Sequence, residues 1–297
     1  MPNYVNDPVK LYSQIVGYIS TQQKNATDNI ALHIDDAFQL AENVIRSVSQ
    51  SDLLNTYAVN YYDASDITIS HAANVAIFTA VLAKGMQLES DTQLNITTAA
   101  LLHDVGFGRI PLEIVNKDPK YLIPKEQQII EEHSLYSQDA IVSSAANLEN
   151  IATMVFQHHE LSNGKGYPRH LTETNISDGA KIIGLIDAYE ALLHPRSHRD
   201  ALIPPQGLQQ IMTQRGDEFP KPLIRALLAH ITMFPVGTYV ELSTGEIARV
   251  IQTTPRNPTR PVVEIIYTAN GKELDRPRPL DLNEEYLINI RKCVPTH

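Results

Sequence analysis

Apolar residues recur three and four positions apart from residue 8 to about residue 232, which is the spacing of helices that bury one face. Glycine and proline interrupt this pattern and predict where one helix ends and the next begins. The predicted breaks are Gly85, Pro111, Pro124, the loop at 162–168 and Pro204-Pro205. The first of these helical segments, up to about residue 60, carry little obvious chemistry, and we expect them to serve as a scaffold or a dimer surface.

The period changes after Phe234. The runs GTYVELSTGEIARVIQT and PVVEIIYTANGKEL are rich in β-branched residues, and each contains a short turn signal, Thr244-Gly245 in the first and Asn270-Gly271 in the second. This pattern predicts a small antiparallel β module at the C-terminus, from about residue 233 to about residue 290.

Charge and cysteine content narrow the range of partners and compartments. The 24 Lys and Arg residues stand against 34 Asp and Glu residues, giving a net charge of −10. Binding to duplex nucleic acid depends on many phosphate contacts, so this charge argues against it. The single cysteine, Cys293, has no partner for a disulfide, which favours a reducing compartment. With neither a signal-like N-terminus nor an apolar run of about 20 residues, we expect a cytoplasmic protein without a membrane span.

Several of the eleven histidines lie at helical spacing from apolar residues. In TISHAANVAIFTAVLAKG, His71 falls on the same stripe as Val75 and Phe78 and should therefore face the interior. The same relation to neighbouring apolar residues holds for His103-Asp104, His133, His158-His159 and Asp187. Any one of these residues could be a buried polar residue with a hydrogen-bond partner. Seven of them together would leave many buried polar groups unpaired unless they bind metal.

Five imidazoles and two carboxylates exceed the coordination number of a single ion. The sequence therefore predicts two divalent transition metal ions, with Asp104 as the bridging carboxylate. Nitrogen and oxygen ligands without a thiolate suit Fe or Mn, and Zn as well. A pair of such ions holds a bridging hydroxide and clamps a phosphoryl oxygen, which is the arrangement for phosphodiester hydrolysis.

Four motifs together resemble the HD-GYP family, the metal-dependent cyclic di-GMP phosphodiesterases of the wider HD superfamily. They are HDVG at 103–106, the isolated His133, HHELSNGKGYP at 158–168 and DAYEALLHPRSHR at 187–199. The resemblance covers about residues 65–232. It implies metal ligands at the seven positions just described, with His103 and Asp104 as the catalytic pair.

The expected fold is mainly α. It combines an N-terminal helical portion (1–64), an HD-type helical bundle that forms an HD-GYP-like catalytic domain (65–232) and the small antiparallel β module (233–297). A homodimer contact or a signalling protein partner would have to use the first or the last of these segments.

The resemblance also implies substrate contacts. Gly166, Tyr167 and Pro168 should shape the pocket wall, where the tyrosine offers a ring face to a base or a hydroxyl for hydrogen bonding. Basic residues after the last ligand hold the phosphates in the family, and Arg196 and Arg199 would have that role here because a guanidinium donates two parallel hydrogen bonds.

Two positions depart from the family pattern. Family members usually have a lysine three residues after the HD aspartate, where this chain has Phe107, so a reduced rate is expected. Members thought to hold three metals have a glutamate one turn before the first histidine, where this chain has Ile67. Asp66 is one residue away and points about 100° from that direction, which favours two metals.

The expected reaction is hydrolysis of cyclic di-GMP to linear pGpG by a metal-bridging hydroxide. Two alternatives stay open: hydrolysis of another cyclic dinucleotide such as cyclic GMP-AMP, and a weakly active or non-catalytic module that binds a cyclic dinucleotide. Glu160 is expected to be either an acceptor for a ligand N–H or a surface carboxylate. His170, His194 and His198 are expected to be solvated.

Overall fold

We describe a computed structural model of the chain. It describes residues 7–61, 67–194, 201–231, 234–253, 257 and 259–294. Within these residues the protein is mainly helical and carries a small antiparallel sheet at its C-terminal end, as predicted.

The helices begin and end near the predicted breaks. Pro124 and Pro204 are the first residues of their helices, where proline fits because the first turn of a helix does not need its N–H. Gly85 is the last residue of another helix. The helices are α1 (Pro8–Thr27), α2 (Ile34–Gln50), α3 (Leu53–Asn60), α4 (Ile67–Gly85), α5 (Ser90–Leu102), α6 (Leu112–Val115), α7 (Pro124–Glu131), α8 (His133–Ser144), α9 (Glu149–Gln157), α10 (Asp178–Leu193), α11 (Pro204–Gln214) and α12 (Lys221–His230). Short 3₁₀ turns span Val105–Arg109, Pro119–Tyr121 and Glu173–Asn175.

Helix α4 is the central helix of the bundle. It packs against α1, α2, α3, α5, α10 and α12, and it is buried on nearly all sides. Among the described helices it alone is long and apolar enough to cross a membrane by length and composition, yet 78% of that stretch is buried inside the protein. A buried core helix passes the same test, so its apolar character is explained by its place in the bundle.

The N-terminal helices share one hydrophobic core with the rest of the bundle, from Leu11 in α1 to Ile231 after α12. Helix α1 also touches the turn that follows the HD pair. Thr27 donates a hydrogen bond to the carbonyl of Gly108 (2.6 Å), and Arg109 donates one to the carbonyl of Ala26 (2.9 Å). The N-terminal helical portion is therefore packed directly against an element of the candidate site.

The C-terminal strands form a five-stranded antiparallel sheet in the order β4-β3-β2-β1-β5. The strands are β1 (Tyr239–Leu242), β2 (Ile247–Gln252), β3 (Val262–Tyr267), β4 (Glu273–Asp281) and β5 (Ile290–Val294). Gly245 and Gly271 occupy positive φ in the two predicted turns, at 85° and 76°, a region that favours glycine. The sheet has a hydrophobic core of its own, and its last strand, which the sequence pattern did not predict, pairs with β1.

Candidate metal centre

Three of the predicted ligand histidines lie where one helix ends. His103 follows the last residue of α5, His158 follows the last residue of α9, and His133 begins α8, with one residue between it and the end of α7. The Nδ1 atoms of these histidines lie within hydrogen-bond distance of carbonyls three residues earlier: Ala100 (2.8 Å), Val155 (2.5 Å) and Ile130 (2.7 Å). The last four carbonyls of a helix have no partner inside the helix, so an imidazole N–H is well placed to satisfy one of them.

These contacts decide which ring nitrogen carries the proton. A carbonyl only accepts, so Nδ1 must be the protonated nitrogen and Nε2 keeps its lone pair. The Nε2 atoms of His133 and His158 are 3.4 Å apart. Among the described residues, His103 Nε2 and Asp104 Oδ1 are buried without a hydrogen-bond partner. Lone pairs that face each other in a buried place repel unless a cation lies between them.

His71 and Asp187 close the other side of the cluster. Helix α4 presents His71 so that Nε2 lies 2.7 Å from Asp187 Oδ1 on α10. The second carboxylate oxygen of Asp187 lies 3.8 Å from Nδ1 of His159. Both His71 and Asp187 are largely buried, as the helical pattern predicted.

The seven predicted ligands come together: six of them divide into two groups that share Asp104, and the seventh, Asp187, lies beside His71 and His159. One group combines Asp104 with His133, His158 and His159, and the other combines it with His71 and His103. Within each group the ligand atoms lie within 4.8 Å of one another. This arrangement fits two neighbouring cations with one carboxylate between them, which is the sharing expected for a bridging ligand.

Burial keeps three of the imidazoles neutral. It lowers the pKa of His133, and burial together with the neighbouring histidines lowers the pKa of His158 and of His159 well below the ordinary value. Burial alone would raise the pKa of Asp187, but the adjacent His71 holds it below its usual range. Neutral imidazoles and an ionised carboxylate are the forms that bind metal.

The Gly-Tyr-Pro segment lies against the cluster. The Tyr167 ring stacks on His159 with 4.6 Å between centroids, and the backbone N–H of Tyr167 donates to the carbonyl of His159 (3.1 Å). A Cβ on Gly166 would lie 2.3 Å from that same carbonyl oxygen, so only glycine allows this approach. Burial raises the pKa of Tyr167 well above its ordinary value, so its hydroxyl stays protonated. The peptide bond before Pro168 is cis.

Glu160 has neither of the two roles expected from the sequence. It is buried, and its two carboxylate oxygens accept hydrogen bonds from the backbone N–H groups of Arg169 (2.6 Å) and Leu171 (2.7 Å). It therefore fastens the loop that carries the Gly-Tyr-Pro segment. A glutamate next to a double histidine gives no local sign of bonds made nine and eleven residues later.

Sequence reasoning also missed Glu190. Its side chain is 1% exposed, and one carboxylate oxygen contacts Nδ1 of His71. The other oxygen contacts Asn74 Nδ2 (3.1 Å) and His194 Nδ1 (2.7 Å). Burial alone would raise the pKa of Glu190, but these histidines hold it well below its ordinary value. The expectation that His194 is solvated is wrong, because this residue is buried beside Glu190. The spacing of three between Asp187 and Glu190 on one helix could have revealed the role.

The remaining predicted positions are described only in part. Phe107 stacks flat on His133, with 4.3 Å between ring centroids and 11° between planes. His170 is exposed, as expected. Arg196, Arg199 and His198 lie outside the described residues, as does Asp66.

Two family models match the chain. Residues 53–220 match an HD domain, and residues 239–296 match a KOW domain associated with the HD domain. The first match covers more than half of the chain and includes all seven predicted ligands.

Named relatives and a solved structure agree with this match. The chain is similar to cyclic di-GMP phosphodiesterase PdeB of Borreliella burgdorferi, with 30% identity over 209 residues that cover 70% of this chain and 54% of that protein. It is 32% identical to 3'3'-cGAMP-specific phosphodiesterase 2 of Vibrio cholerae over 164 residues, which cover 55% of this chain and 31% of that protein. The chain thus spans about half the length of the first relative and less of the second. In fold it is similar to Bd1817, a HDG"Y"P protein from Bdellovibrio bacteriovorus, with a TM-score of 0.59, 16% identity and coverage of 73% of this chain and 69% of that one.

Proposed function

The chain belongs to the HD domain family and, within it, to the HD-GYP proteins, and from that premise we propose that it hydrolyses cyclic di-GMP to linear pGpG in a metal-dependent reaction. The observation that carries the proposal is the division of the buried ligands into two groups that share Asp104. Phosphodiester hydrolysis is a reaction for which such paired sites are suited.

His103, His133 and His158 would hold the ions through Nε2, because a helix-end carbonyl keeps the ring proton of each on Nδ1. Divalent ions, when bound, supply an activated water at neutral pH and positive charge for a phosphoryl oxygen. Tyr167 would line the substrate pocket with its ring and its protonated hydroxyl. Nε2 of His71 carries no proton when Nδ1 donates to Glu190, so this nitrogen and Asp187 Oδ1, 2.7 Å away, would both offer lone pairs to an ion.

We further propose two ions per chain, Fe or Mn, with Zn as the other ion that the ligands suit. The donor set contains imidazole nitrogen and carboxylate oxygen, which suits these metals. Arg196 and Arg199 remain the proposed phosphate contacts, and their replacement by alanine should raise KM without changing the metal content.

The proposed setting is the bacterial cytoplasm, where cyclic dinucleotides act as signals; the chain's single, unpaired Cys293 is compatible with it. The proposed division into residues 1–64, 65–232 and 233–297 leaves the first and last parts for a second copy of the chain or a signalling partner. The family model, which begins at residue 53, and the core shared by α1 to α3 support a close association of the first two parts.

The test is metal analysis of anaerobically purified protein, followed by chromatography of a cyclic di-GMP reaction. Asp104→Asn removes the shared charge with little change in shape, so we expect both the metal content and the turnover to fall by at least tenfold. Asp178→Asn is the matched control, because that carboxylate is 94% exposed on the surface of α10. A well-folded protein that binds no Fe, Mn or Zn would exclude the proposed function.

A second substrate has support of its own, since the Vibrio cholerae relative is named for 3'3'-cGAMP. The same paired site could cut either cyclic dinucleotide, because the attacked phosphodiester is common to both. Parallel measurement of kcat/KM for cyclic di-GMP and cyclic GMP-AMP separates the two, and a higher value for the latter would favour this second substrate.

A further inference from the structure

A buried chain of hydrogen bonds leads from the N-terminal helix into the metal centre. Tyr12 of α1 is 2% exposed, and its hydroxyl donates to Asn74 Oδ1 of α4 (2.9 Å). The amide of Asn74 donates in turn to Glu190 Oε1 of α10 (3.1 Å). The other oxygen of Glu190 contacts Nδ1 of His71. Three helices that are distant in sequence are thereby joined at one carboxylate.

His71 differs from His103, His133 and His158 in its Nδ1 partner. His103, His133 and His158 use a carbonyl of the preceding helix, whereas His71 lies within helix α4, where carbonyls are already bonded to the following turn. Its Nδ1 therefore needs a partner from another helix, and Glu190 supplies it. A carboxylate in this place fixes the tautomer and makes the opposite nitrogen a stronger donor to metal.

We propose that Glu190 is a positioning residue for the His71 and His103 half of the metal centre, and that Tyr12, through Asn74, holds Glu190 in place. The assignment rests on the proposed function only in that the site binds metal. It makes helix α1 part of the metal centre and explains why an element outside the HD motif is packed so closely against it.

Glutamine at position 190 tests the carboxylate with little change in volume. Glu190 offers two acceptor oxygens to His71, Asn74 and His194, whereas a glutamine offers one oxygen and an NH₂ group. If that NH₂ faces His71, it donates to Nδ1 and moves the ring proton to Nε2, the nitrogen that should bind metal. If it faces Asn74, two donors meet and Asn74 loses its acceptor.

The experiment is a titration of purified protein with Mn²⁺ against a competing chelator, with bound ions counted by mass spectrometry. We expect two ions in the unchanged protein. In Glu190→Gln we expect one ion held as before and the other weakened by about 10- to 100-fold. Two ions with unchanged affinities in Glu190→Gln would overturn the assignment while leaving the proposed function standing. An unchanged protein that takes up no metal would overturn both.

A second pair of variants keeps the test decisive if Glu190→Gln does not fold. Tyr12→Phe removes only the hydroxyl that begins the chain, and Tyr18→Phe, on the same helix, removes a hydroxyl that donates to the carbonyl of His33 (3.1 Å). Tyr18→Phe loses this one hydrogen bond, and Tyr12→Phe loses the bond to Asn74 together with a longer one to the carbonyl of Ser70 (3.5 Å). We expect Tyr12→Phe to weaken one ion by roughly two- to tenfold and Tyr18→Phe to weaken neither. Equal affinities in the two variants would show that helix α1 does not position the site.

Discussion

At the scale of single residues, the chemistry of the cluster depends on which ring nitrogen carries the proton. Backbone carbonyls determine this for His103, His133 and His158, and a carboxylate determines it for His71. The result is a set of lone pairs directed at one place, with Asp104 between them. Aromatic rings stack on two of the candidate ligand histidines: Phe107 on His133 and Tyr167 on His159.

The HD-GYP resemblance implies a lysine at the position of Phe107, so this residue provides a test of how a positive charge there affects the reaction. Phe107→Lys should raise kcat/KM for cyclic di-GMP by up to about tenfold, because a cation beside His133 would stabilise developing phosphoryl charge. Phe107→Leu loses the same ring stacking without adding charge and is the control. Steady-state kinetics of both variants measure the effect, and equal changes in the two would mean that the charge is irrelevant.

Ile67 is relevant to whether the reaction stops at pGpG or continues to GMP. It is the first residue of α4, one turn before His71, and it offers no lone pair for a third ion. We therefore expect pGpG to accumulate, since the linear product must bind again to be cut further. A chromatographic time course measures this.

Ile67→Glu should raise both the metal content and the GMP yield, whereas Thr68→Glu, about 100° away around the helix, should change neither. Rapid GMP formation by the unchanged protein, without a pGpG peak, would contradict the argument.

At the scale of elements, the site is built where helix ends meet the middle of other helices. Helix α10 approaches the end of α9 so closely that a Cβ on Gly184 would lie 2.2 Å from the carbonyl oxygen of His158. The carboxylate of Glu160 holds the following loop by accepting hydrogen bonds from the backbone N–H groups of Arg169 and Leu171. The contact at Gly184 fixes His158 against the helix that carries Asp187, and the bonds to Glu160 fix the loop that carries Tyr167.

Gly184→Ala should therefore disturb the cluster as well as the fold. The added methyl group meets backbone that cannot move without His158, so we expect a loss of about 1–3 kcal/mol in the free energy of unfolding and weaker metal binding. Gly17→Ala is the matched control, because a Cβ there meets nothing within 4 Å and should raise the melting temperature slightly. Thermal melting and metal titration measure the two effects. A melting temperature and a metal affinity of Gly184→Ala equal to those of the wild-type protein would contradict the close packing.

Glu160→Gln tests the loop. The glutamine keeps one acceptor and places an NH₂ group against a backbone N–H, so the loop with Tyr167 should loosen. We expect KM to rise severalfold while the metal content stays constant. Glu173→Gln, an exposed position in the same connection, should leave KM unchanged. A fall in metal content in Glu160→Gln would instead assign this residue to the ligands.

At the scale of the whole molecule, the helical bundle and the sheet have separate hydrophobic cores. The described contacts between them include a hydrogen bond from Thr56 of α3 to the carbonyl of Val236 (2.9 Å). The candidate ligands all lie in the helical part. Metal should therefore stabilise the bundle directly and the sheet only as far as the two unfold together.

Labelling of Cys293 in β5 can show whether metal stabilises the sheet together with the bundle. Burial raises the pKa of its thiol to about 12, so alkylation by iodoacetamide at pH 8 should be slow while β5 is paired with β1. In a denaturant titration, Mn²⁺ at 100 times Kd should raise the free energy of unfolding of the bundle by about 2.7 kcal/mol for each bound ion. The midpoint of the helical circular dichroism signal should then move to higher denaturant concentration, while the midpoint of Cys293 labelling should not move. Equal shifts of the two midpoints would mean that bundle and sheet unfold as one unit.

Much of the fold follows from local patterns. Helical spacing and proline positions predicted the breaks between helices, and glycine turn signals predicted two hairpins with positive φ at Gly245 and Gly271. The strand β5 escaped prediction, since its partner is β1, about fifty residues earlier, and no turn signal links the two.

The sequence by itself determined which side chains could serve as ligands, because burial on a helical face and the chemistry of imidazole and carboxylate are local properties. The sequence also predicted Asp104 as the shared carboxylate. Only the tertiary structure decided which histidines join Asp104 in each group and which partner orients each imidazole. Glu190 lies 119 positions from His71, and Glu160 bonds to backbone groups rather than to a side-chain motif. Such contacts depend on how helices pack in space. The spacing of Asp187 and Glu190 can place both carboxylates on one face of α10, but it does not say which residues of other helices they meet.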